Sequence, residues 1–291
     1  MLQIKFKNME TLTNEQLKQS VKDMYAKIAT QTKQDNAASC CGAGGCSTEV
    51  YNIMSDDYTQ LEGYNPDADL GLGCGLPTEY AMMKPGDTIL DLGSGAGNDC
   101  FIARAIVGDN GKVIGIDMTE TMIDLARENA DKLGLNNVEF RLGEIEKLPI
   151  TANKVDVVVS NCVLNLVPDK EKAFSEIYRV LKPGAHFSIS DVVLVGELPD
   201  KIKSASEMYA GCVSGALQKT HYISIINQTG FVNVKVQKEK PIIIPDDILL
   251  NYLSKEEINE YRTSGNGIFS VTVYAEKPSE SKQCTPGGGC C

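Results

Sequence analysis

Between residues 87 and 191, short apolar segments alternate with longer segments of helical length. The short segments are rich in Val, Ile and Leu and are bounded by polar residues or glycines, which is typical of buried β-strands. Strands are predicted at Thr88–Leu92, Lys112–Asp117, Val138–Leu142, Val155–Ser160 and His186–Asp191. Helices are predicted between them at Asp99–Val107, Glu120–Leu133 and Lys170–Leu181. Because strands joined by helical crossovers run parallel, we expect an α/β fold, a mostly parallel sheet with helices on both faces.

The regions on either side of this alternation are less regular. Residues 13–30 begin with a capping-box-like pair, Thr13 and Gln16, and continue with apolar residues at helical spacing, which predicts an amphipathic helix. Residues 31–48 are polar and rich in glycine, so we expect a loop. Beyond residue 195 the pattern predicts two helices and two strands, at Lys201–Gln218, His221–Thr229, Val232–Gln237 and Ile268–Tyr274.

This pattern divides the chain into four parts. An N-terminal helix and a thiol-rich loop occupy residues 1–70, and the α/β domain occupies residues 71–195. A smaller α+β C-terminal subdomain is expected at residues 196–276. Residues 277–291 are expected to form a disordered tail that carries cysteines.

Charge and composition exclude several classes of protein. The chain has 291 residues and a formal net charge of −11, whereas a nucleic-acid surface needs a basic stripe. No apolar run approaches the roughly 20 residues of a membrane span. The N-terminus lacks the long apolar stretch of a signal peptide. We therefore expect a cytoplasmic protein with no nucleic-acid or membrane partner, in which the cysteines are mostly reduced.

A glycine-rich turn follows the first predicted strand and precedes the first helix. The segment Asp91-Leu-Gly-Ser-Gly-Ala-Gly97 has the spacing G-x-G-x-G, and Asn98 stands where a dinucleotide-binding fingerprint needs its third glycine. The next three strands also end in polar residues, namely Asp117, Glu144 and Asn161. Open α/β sheets bind ligands at the carboxyl ends of their strands, so these turns predict a nucleotide-like ligand site.

Together, these turns resemble the class I S-adenosylmethionine-dependent methyltransferases over residues 80–192. The resemblance implies a Rossmann-like fold with S-adenosylmethionine as cofactor. The dinucleotide-binding alternative is disfavoured by the glycine spacing. In the resemblance the glycines approach the methionine and ribose, Asp117 holds the ribose hydroxyls, and the residues after strands two and three frame the adenine. The implied cofactor-binding residues are Asp91, Gly93, Gly95, Gly97, Asp117, Met118, Glu144, Ile145 and Asn161.

The chain has ten cysteines but only two histidines and no tryptophan. Thiolates without imidazole partners favour soft, thiophilic ions. Cys162 directly follows Asn161 at the strand-four edge, although a buried cysteine often only packs. Cys212 has small neighbours, and Cys74 lies between glycines, so we expect both sulfurs to be approachable. Three such thiols could converge on one trigonal soft ion.

The motifs around these cysteines resemble those of the arsenite S-adenosylmethionine methyltransferases. The resemblance extends from about residue 38 to residue 276 and includes Leu-Gly-Cys74-Gly, Ser-Asn-Cys162-Val-Leu-Asn-Leu and Tyr-Ala-Gly-Cys212. It implies that Cys162 and Cys212 hold trivalent arsenic, with Cys74 as a further ligand. It also implies a disulfide between Cys74 and an N-terminal cysteine during turnover. Three residues compete for that role, namely Cys40, Cys41 and Cys46, of which Cys40 or Cys41 is favoured.

The function implied by this resemblance is methyl transfer from S-adenosylmethionine to trivalent arsenic, giving methylated arsenicals in arsenic detoxification. Expected partners are arsenite and methylarsenite, with glutathione or thioredoxin as the thiol reductant, and the family implies a monomer. Two alternatives stay open: a class I methyltransferase for a small organic acceptor, and a non-enzymatic metalloid-binding thiol protein. The cysteines of the tail either capture arsenite or have no catalytic role; they are Cys284, Cys290 and Cys291.

Overall fold

The computed structural model describes residues 13–30, 56–202 and 215–279. Seven strands lie in these residues: β1 Thr88–Leu92, β2 Lys112–Asp117, β3 Val138–Leu142, β4 Val155–Asn161, β5 Leu181–Val195, β6 Val232–Ile242 and β7 Gly267–Glu276. They form one sheet in the order β3-β2-β1-β4-β5-β7-β6. Strands β1 to β5 pair in parallel, whereas β7 runs antiparallel between β5 and β6. The predicted α/β class with a mostly parallel sheet is confirmed.

Eight α-helices connect or flank these strands in the described part of the chain. They are α1 Asn14–Ile28, α2 Pro77–Tyr80, α3 Asn98–Val107, α4 Glu120–Leu133, α5 Lys170–Val180, α6 Lys219–Thr229, α7 Asp246–Leu249 and α8 Lys255–Thr263. The predicted capping box of α1 is confirmed, since the Thr13 side chain accepts from the Gln16 amide and the Gln16 side chain accepts from the Thr13 amide. Helix α6 ends at Thr229, as predicted, and the left-handed residue Gly230 follows it.

The centre of the sheet is fully enclosed. Ile89, Leu90 and Leu92 of β1 are inaccessible to solvent, because β2 and β4 cover its two edges and helices cover both faces of the sheet. This explains why the strand is an almost continuous apolar run and does not alternate between apolar and polar residues. The buried centre fixes the carboxyl ends of four parallel strands, and those ends carry the polar residues predicted to bind a ligand.

Several predicted bounds differ from the structure: β5 begins at Leu181 instead of His186, and β6 continues to Ile242 beyond Gln237. Two other differences involve the end of β5. The strand predicted to end at Asp191 continues to Val195, because the Asp191 carboxyl is buried and hydrogen-bonded within the fold instead of facing solvent. The helix predicted at Lys201–Gln218 is wrong at its carboxyl end, where Gln218 forms an isolated bridge with Leu194. Residues 203–214 of that prediction lie outside the described residues.

The region predicted as a separate subdomain, residues 196–276, supplies β6 and β7 to the same sheet. Its helices α7 and α8 contribute to a buried cluster that also contains Cys74 and Cys162. The region therefore shares both its strand pairing and its apolar core with the rest of the fold. No helix among the described residues is both long and apolar enough to cross a membrane.

Candidate functional site

The loops at the carboxyl ends of β1 to β4 enclose one cavity. Its empty volume is about 1100 Å³, counted with its open mouth, which is enough for a nucleoside-sized ligand. All but one of the predicted cofactor-binding residues line it: Asp91, Gly93, Gly95, Asp117, Met118, Glu144, Ile145 and Asn161. The exception, Gly97, packs against the rings of Phe101 and Phe140.

The three glycines of the turn have different surroundings. All three have positive φ, at 69° for Gly93, 50° for Gly95 and 99° for Gly97. A Cβ atom at Gly93 would overlap Val163, and one at Gly97 would lie 2.8 Å from the ring of Phe101. At Gly95 a Cβ would meet nothing within 4 Å. Only at Gly95, therefore, does the absence of a side chain leave open space beside the backbone.

The Asp117 carboxylate lies beside this turn and holds its backbone. Its Oδ2 atom accepts a hydrogen bond from the Gly95 amide at 3.1 Å, and its Oδ1 atom accepts one from the Thr119 amide at 2.8 Å. Burial raises the pKa of Asp117, and these backbone donors partly oppose that shift. The carboxylate is thus fixed at the end of β2, where the predicted ribose contact requires it.

Two further acids lie beside the glycine turn. Asp91 is buried, and its Oδ2 atom accepts from the Cys100 thiol at 3.2 Å. Burial, followed by the charge of Asp99, raises the pKa of Asp91 well above its usual range. Burial also raises the pKa of Asp99 to about 6, against hydrogen bonds from Asn161 and Tyr58 that lower it.

Asn161, at the end of β4, fixes the loop that carries Cys74. Its Oδ1 atom accepts from the Cys74 amide at 3.0 Å, and its Nδ2 atom donates to the Gly75 carbonyl at 2.8 Å. The Tyr58 hydroxyl donates to the same Gly75 carbonyl at 3.0 Å. From the opposite side, the Ser270 hydroxyl of β7 donates to the Cys74 carbonyl at 2.6 Å. Cys74 is therefore held between β4 and β7.

The expectation that flanking glycines expose the Cys74 sulfur is wrong, since Cys74 is only 1% exposed. A Cβ at Gly73 would lie 2.7 Å from Asn161 Nδ2, and one at Gly75 would lie 2.6 Å from Ser190 Oγ. The glycines therefore let the loop pack tightly against β4 and β5. Their role here is close backbone approach and burial of the thiol.

Cys162 lies at the edge of the cavity in an unusual conformation. It lines the cavity, is 3% exposed and has a left-handed φ of 60°, which is uncommon for a residue other than glycine. Its amide donates to the Ser190 carbonyl at 2.8 Å, which anchors the strained turn to β5. Cys162 and Cys74 belong to the same buried cluster, so two of the three predicted ligand cysteines come together.

A buried Asp–Tyr pair lies behind these thiols. The Tyr222 hydroxyl of α6 donates to Asp191 Oδ2 at 3.4 Å, and both residues are almost inaccessible to solvent. Burial raises the pKa of Asp191 to about 7, although the positive charge of Lys170 opposes the shift. Burial also raises the pKa of Tyr222 well above its usual range, with smaller contributions from Asp191 and the two cysteines.

The remaining predicted thiols belong to parts of the chain outside the described residues. The third predicted arsenic ligand, Cys212, lies outside the described residues. The same is true of the other cysteines singled out from the sequence: Cys40, Cys41, Cys46, Cys284, Cys290 and Cys291. Within the described ranges no three Cys, His, Asp or Glu side chains form a cluster that could hold a metal ion.

Known families, sequences and solved structures resemble this chain. A family model described as a methyltransferase domain matches residues 83–230, half of the chain. An arsenite methyltransferase from Halobacterium salinarum is 41% identical over 278 residues, covering 91% of this chain and 68% of the relative. The chain belongs to the arsenite methyltransferase family. An arsenite methyltransferase from Aquipseudomonas alcaligenes is 32% identical, covering 81% of this chain and 68% of the relative.

A solved member of the arsenite methyltransferase family has the same fold. The crystal structure of an arsenic (III) S-adenosylmethionine methyltransferase from Chlamydomonas reinhardtii superimposes with a TM-score of 0.60. It is 30% identical in sequence, and the match covers 79% of this chain and 74% of that one. The class I methyltransferase fold predicted from the sequence is therefore confirmed, and the chain is a methyltransferase.

The cavity fits the cofactor of this fold, S-adenosylmethionine. Gly95 leaves open space along the backbone, and the buried Ser94 hydroxyl, which also lines the cavity, has no hydrogen-bond partner within the described structure. Among the described residues that line the cavity, Lys18 is the one basic side chain, whereas six side chains carry carboxyl groups: Asp69, Asp91, Asp99, Asp117, Glu144 and Glu146. Such a lining favours a ligand that carries sulfonium and ammonium groups.

The sequence prediction missed the contribution of α1 to this cavity. Lys18, Val21 and Tyr25 line it, although they precede the glycine turn by about seventy residues. Their spacing places them on one helical face. The signal that could have revealed the contact is Lys18, a basic residue beside the apolar stripe.

Proposed function

We propose that this arsenite methyltransferase homologue transfers methyl groups from S-adenosylmethionine to trivalent arsenic that cysteine thiolates hold, in arsenic detoxification. The observation that carries this proposal is the position of Cys162. This thiol directly follows β4, the strand that pairs with β1 before the glycine turn, and it lines the same cavity. An arsenic atom bound to it would therefore lie beside the methyl donor. Cys74, in the same buried cluster, supplies a second thiol, and we assign Cys212 as the third.

Different residues of the cavity would bind different parts of the donor. The open backbone at Gly95 would admit its methionine and ribose portions, and Asp117 would accept hydrogen bonds from the ribose hydroxyls. Met118, Glu144 and Ile145 would frame the adenine. When bound, S-adenosylmethionine supplies an electrophilic methyl group on a sulfonium sulfur.

Arsenite would be loaded by exchange of its hydroxyl groups for thiols. Each exchange forms one As–S bond and breaks one As–O bond, and the thiol proton leaves with the hydroxyl group as water. Trivalent arsenic retains a lone pair, so it is itself the nucleophile and no general base is required. The work of this chain is to position arsenic and exclude water, and such positioning accounts for several kcal/mol of a barrier, roughly 7–11 in well-oriented systems.

Addition of a methyl group to that lone pair raises the formal oxidation state of arsenic by two. A two-electron reductant must therefore restore the trivalent state, and we propose that glutathione or thioredoxin serves as its source. The thiols of Cys74 and of Cys40 or Cys41 would deliver the two electrons to arsenic and form a disulfide, which glutathione or thioredoxin would then reduce back to two thiols. The carboxyl-terminal cysteines would capture arsenite and raise its concentration near the site, or take no part.

We further propose that the enzyme acts as a cytoplasmic monomer on arsenite and methylarsenite, without a nucleic-acid or membrane partner. The net charge of −11 supports the absence of a nucleic-acid partner. The same negative net charge disfavours contact with polyanionic surfaces in general.

The deciding experiment incubates the full chain with arsenite, S-adenosylmethionine and a reducing thiol, and then separates the arsenic species by chromatography. The wild type is compared with Cys162→Ser and with Cys100→Ser, which removes a buried thiol that does not line the cavity. Methylated arsenicals are expected from the wild type and Cys100→Ser but not from Cys162→Ser. If the wild type binds S-adenosylmethionine and yields no methylated arsenic, the acceptor is a different molecule, such as a small organic compound.

A further inference from the structure

Two glutamates at the end of β3 bring like charges together at the rim of the cavity. Glu144 and Glu146 both line it, and the Glu146 side chain is only 8% exposed. The Glu144 side chain is 40% exposed, so of the two carboxylates it is Glu146 that is poorly hydrated. Two neighbouring carboxylates repel one another unless a cation lies between them. The repulsion would act directly on the loop that is proposed to frame the donor's adenine.

Lys18 of α1 supplies that cation. Its Nζ atom lies 2.8 Å from Glu144 Oε2 and 3.0 Å from Glu146 Oε2, and its side chain is 13% exposed. Burial disfavours the charged form of Lys18, but the hydrogen bonds to the two glutamates outweigh it and raise the pKa of Lys18. The same contact lowers the pKa of Glu144. One partly buried ammonium thus pairs both carboxylates.

This contact joins two segments that are distant in sequence. Lys18, Val21 and Tyr25 all line the cavity, and Val21 is 7% exposed, so the helix places a continuous face against it. The neighbouring basic residue, Lys22, is more peripheral, since it is 34% exposed, lies 3.8 Å from Glu144 Oε1 and does not line the cavity. Of the two lysines, only Lys18 joins the helix to both glutamates.

We propose that Lys18 is a positioning residue for the methyl donor: by pairing Glu144 with Glu146 it holds α1 as one wall of the donor cavity. This inference rests on the proposed function, because it takes the cavity to be the donor site. Lys18 lies outside the buried cluster that contains Cys74 and Cys162. Its loss therefore weakens donor binding and leaves the arsenic site intact.

The test uses the full chain as wild type, Lys18→Met, Lys18→Arg and the matched control Lys22→Met. Calorimetry measures the Kd of S-adenosylhomocysteine, and steady-state assays measure kcat and the KM of each substrate. Lys18→Met is expected to weaken nucleoside binding by about tenfold, equal to about 1.4 kcal/mol, and to raise the KM for S-adenosylmethionine similarly. The kcat at saturating donor and the KM for arsenite should change by less than about twofold, because only donor binding is affected.

The controls separate positioning from general destabilisation. Lys18→Arg keeps the charge and should recover most of the affinity, whereas Lys22→Met should bind within about twofold of the wild type. Equal weakening in Lys18→Met and Lys22→Met, or wild-type affinity in Lys18→Met, would overturn the role of Lys18. A fall in kcat with an unchanged donor KM would overturn it as well. If the wild type binds neither nucleoside, the proposed function fails first, and the inference fails with it.

Discussion

The sharpest test of the donor cavity is Gly95→Ala. Its backbone has φ of 50°, and a Cβ there would meet nothing within 4 Å. An alanine in the left-handed region costs about 1–2 kcal/mol, partly offset by a gain of about 0.4–1 kcal/mol from the less flexible unfolded chain. The protein should therefore fold with a free energy of unfolding lower by about 1 kcal/mol, which lowers Tm by about 2–4 °C in a chain of this size.

The same methyl group would occupy the space in which the donor's backbone contacts are made. We expect S-adenosylhomocysteine to bind at least about tenfold more weakly to Gly95→Ala, measured by calorimetry. Gly134→Ala is the matched control, because Gly134 has φ of 65°, also has open space around it and lies at the end of α4 outside the cavity. It should lose similar stability and keep normal donor affinity.

Gly93→Ala provides the opposite case. A Cβ at Gly93 would overlap Val163, so overpacking of about 1–3 kcal/mol adds to the backbone strain. This variant should lose clearly more stability than Gly95→Ala in urea titrations. Normal donor affinity in Gly95→Ala, or equal loss of affinity in Gly134→Ala, would refute the assignment of Gly95 to the donor site.

Two further changes test the thiol region. Burial raises the pKa of Asp191 from its ordinary 3.8 to about 7 in the folded chain. The folded chain therefore holds this proton more tightly than the unfolded chain. The resulting contribution to the free energy of unfolding is full at low pH and falls by about 4 kcal/mol as pH rises to about 7. Asp191→Asn should flatten this decline in urea titrations between about pH 4 and pH 7, the range that the shift spans. Parallel curves for the two proteins would contradict it. Asn161→Ala removes the acceptor of the Cys74 amide. It should lower the free energy of unfolding by about 1–3 kcal/mol and slow arsenic methylation. Unchanged stability and rate would show that the Cys74 loop is held by its other contacts.

The sequence predicts the parallel half of the sheet well. The bounds predicted for β1, β2 and β3 match the structure, because turn or polar residues flank each of these segments. The ligand side of the sheet follows from the same information, since parallel strands place their carboxyl ends together. Eight of the nine predicted cofactor-binding residues line the cavity for this reason.

The parts that local patterns could not predict depend on distant contacts. Asp191 looks like the end of a strand, yet β5 continues because Tyr222 of α6 hydrogen-bonds its carboxyl inside the fold. Glycines around Cys74 suggest an exposed loop, but Asn161 and Ser270 draw that loop into the core. Lys18 reads as an ordinary solvated helix residue until its glutamate partners, more than a hundred residues later, are known.

The position of β7 has a consequence for biosynthesis. This strand lies between β5 and β6, so β6 leaves the ribosome before the only strand with which it pairs in the described sheet. The Ser270 hydroxyl that holds the Cys74 carbonyl also arrives with β7. A nascent chain that stalls before this strand therefore carries the glycine turn but has an unpaired sheet edge and a loosely held Cys74, a state prone to aggregation. The Cys74 loop therefore gains its last anchor only when β7 joins the sheet.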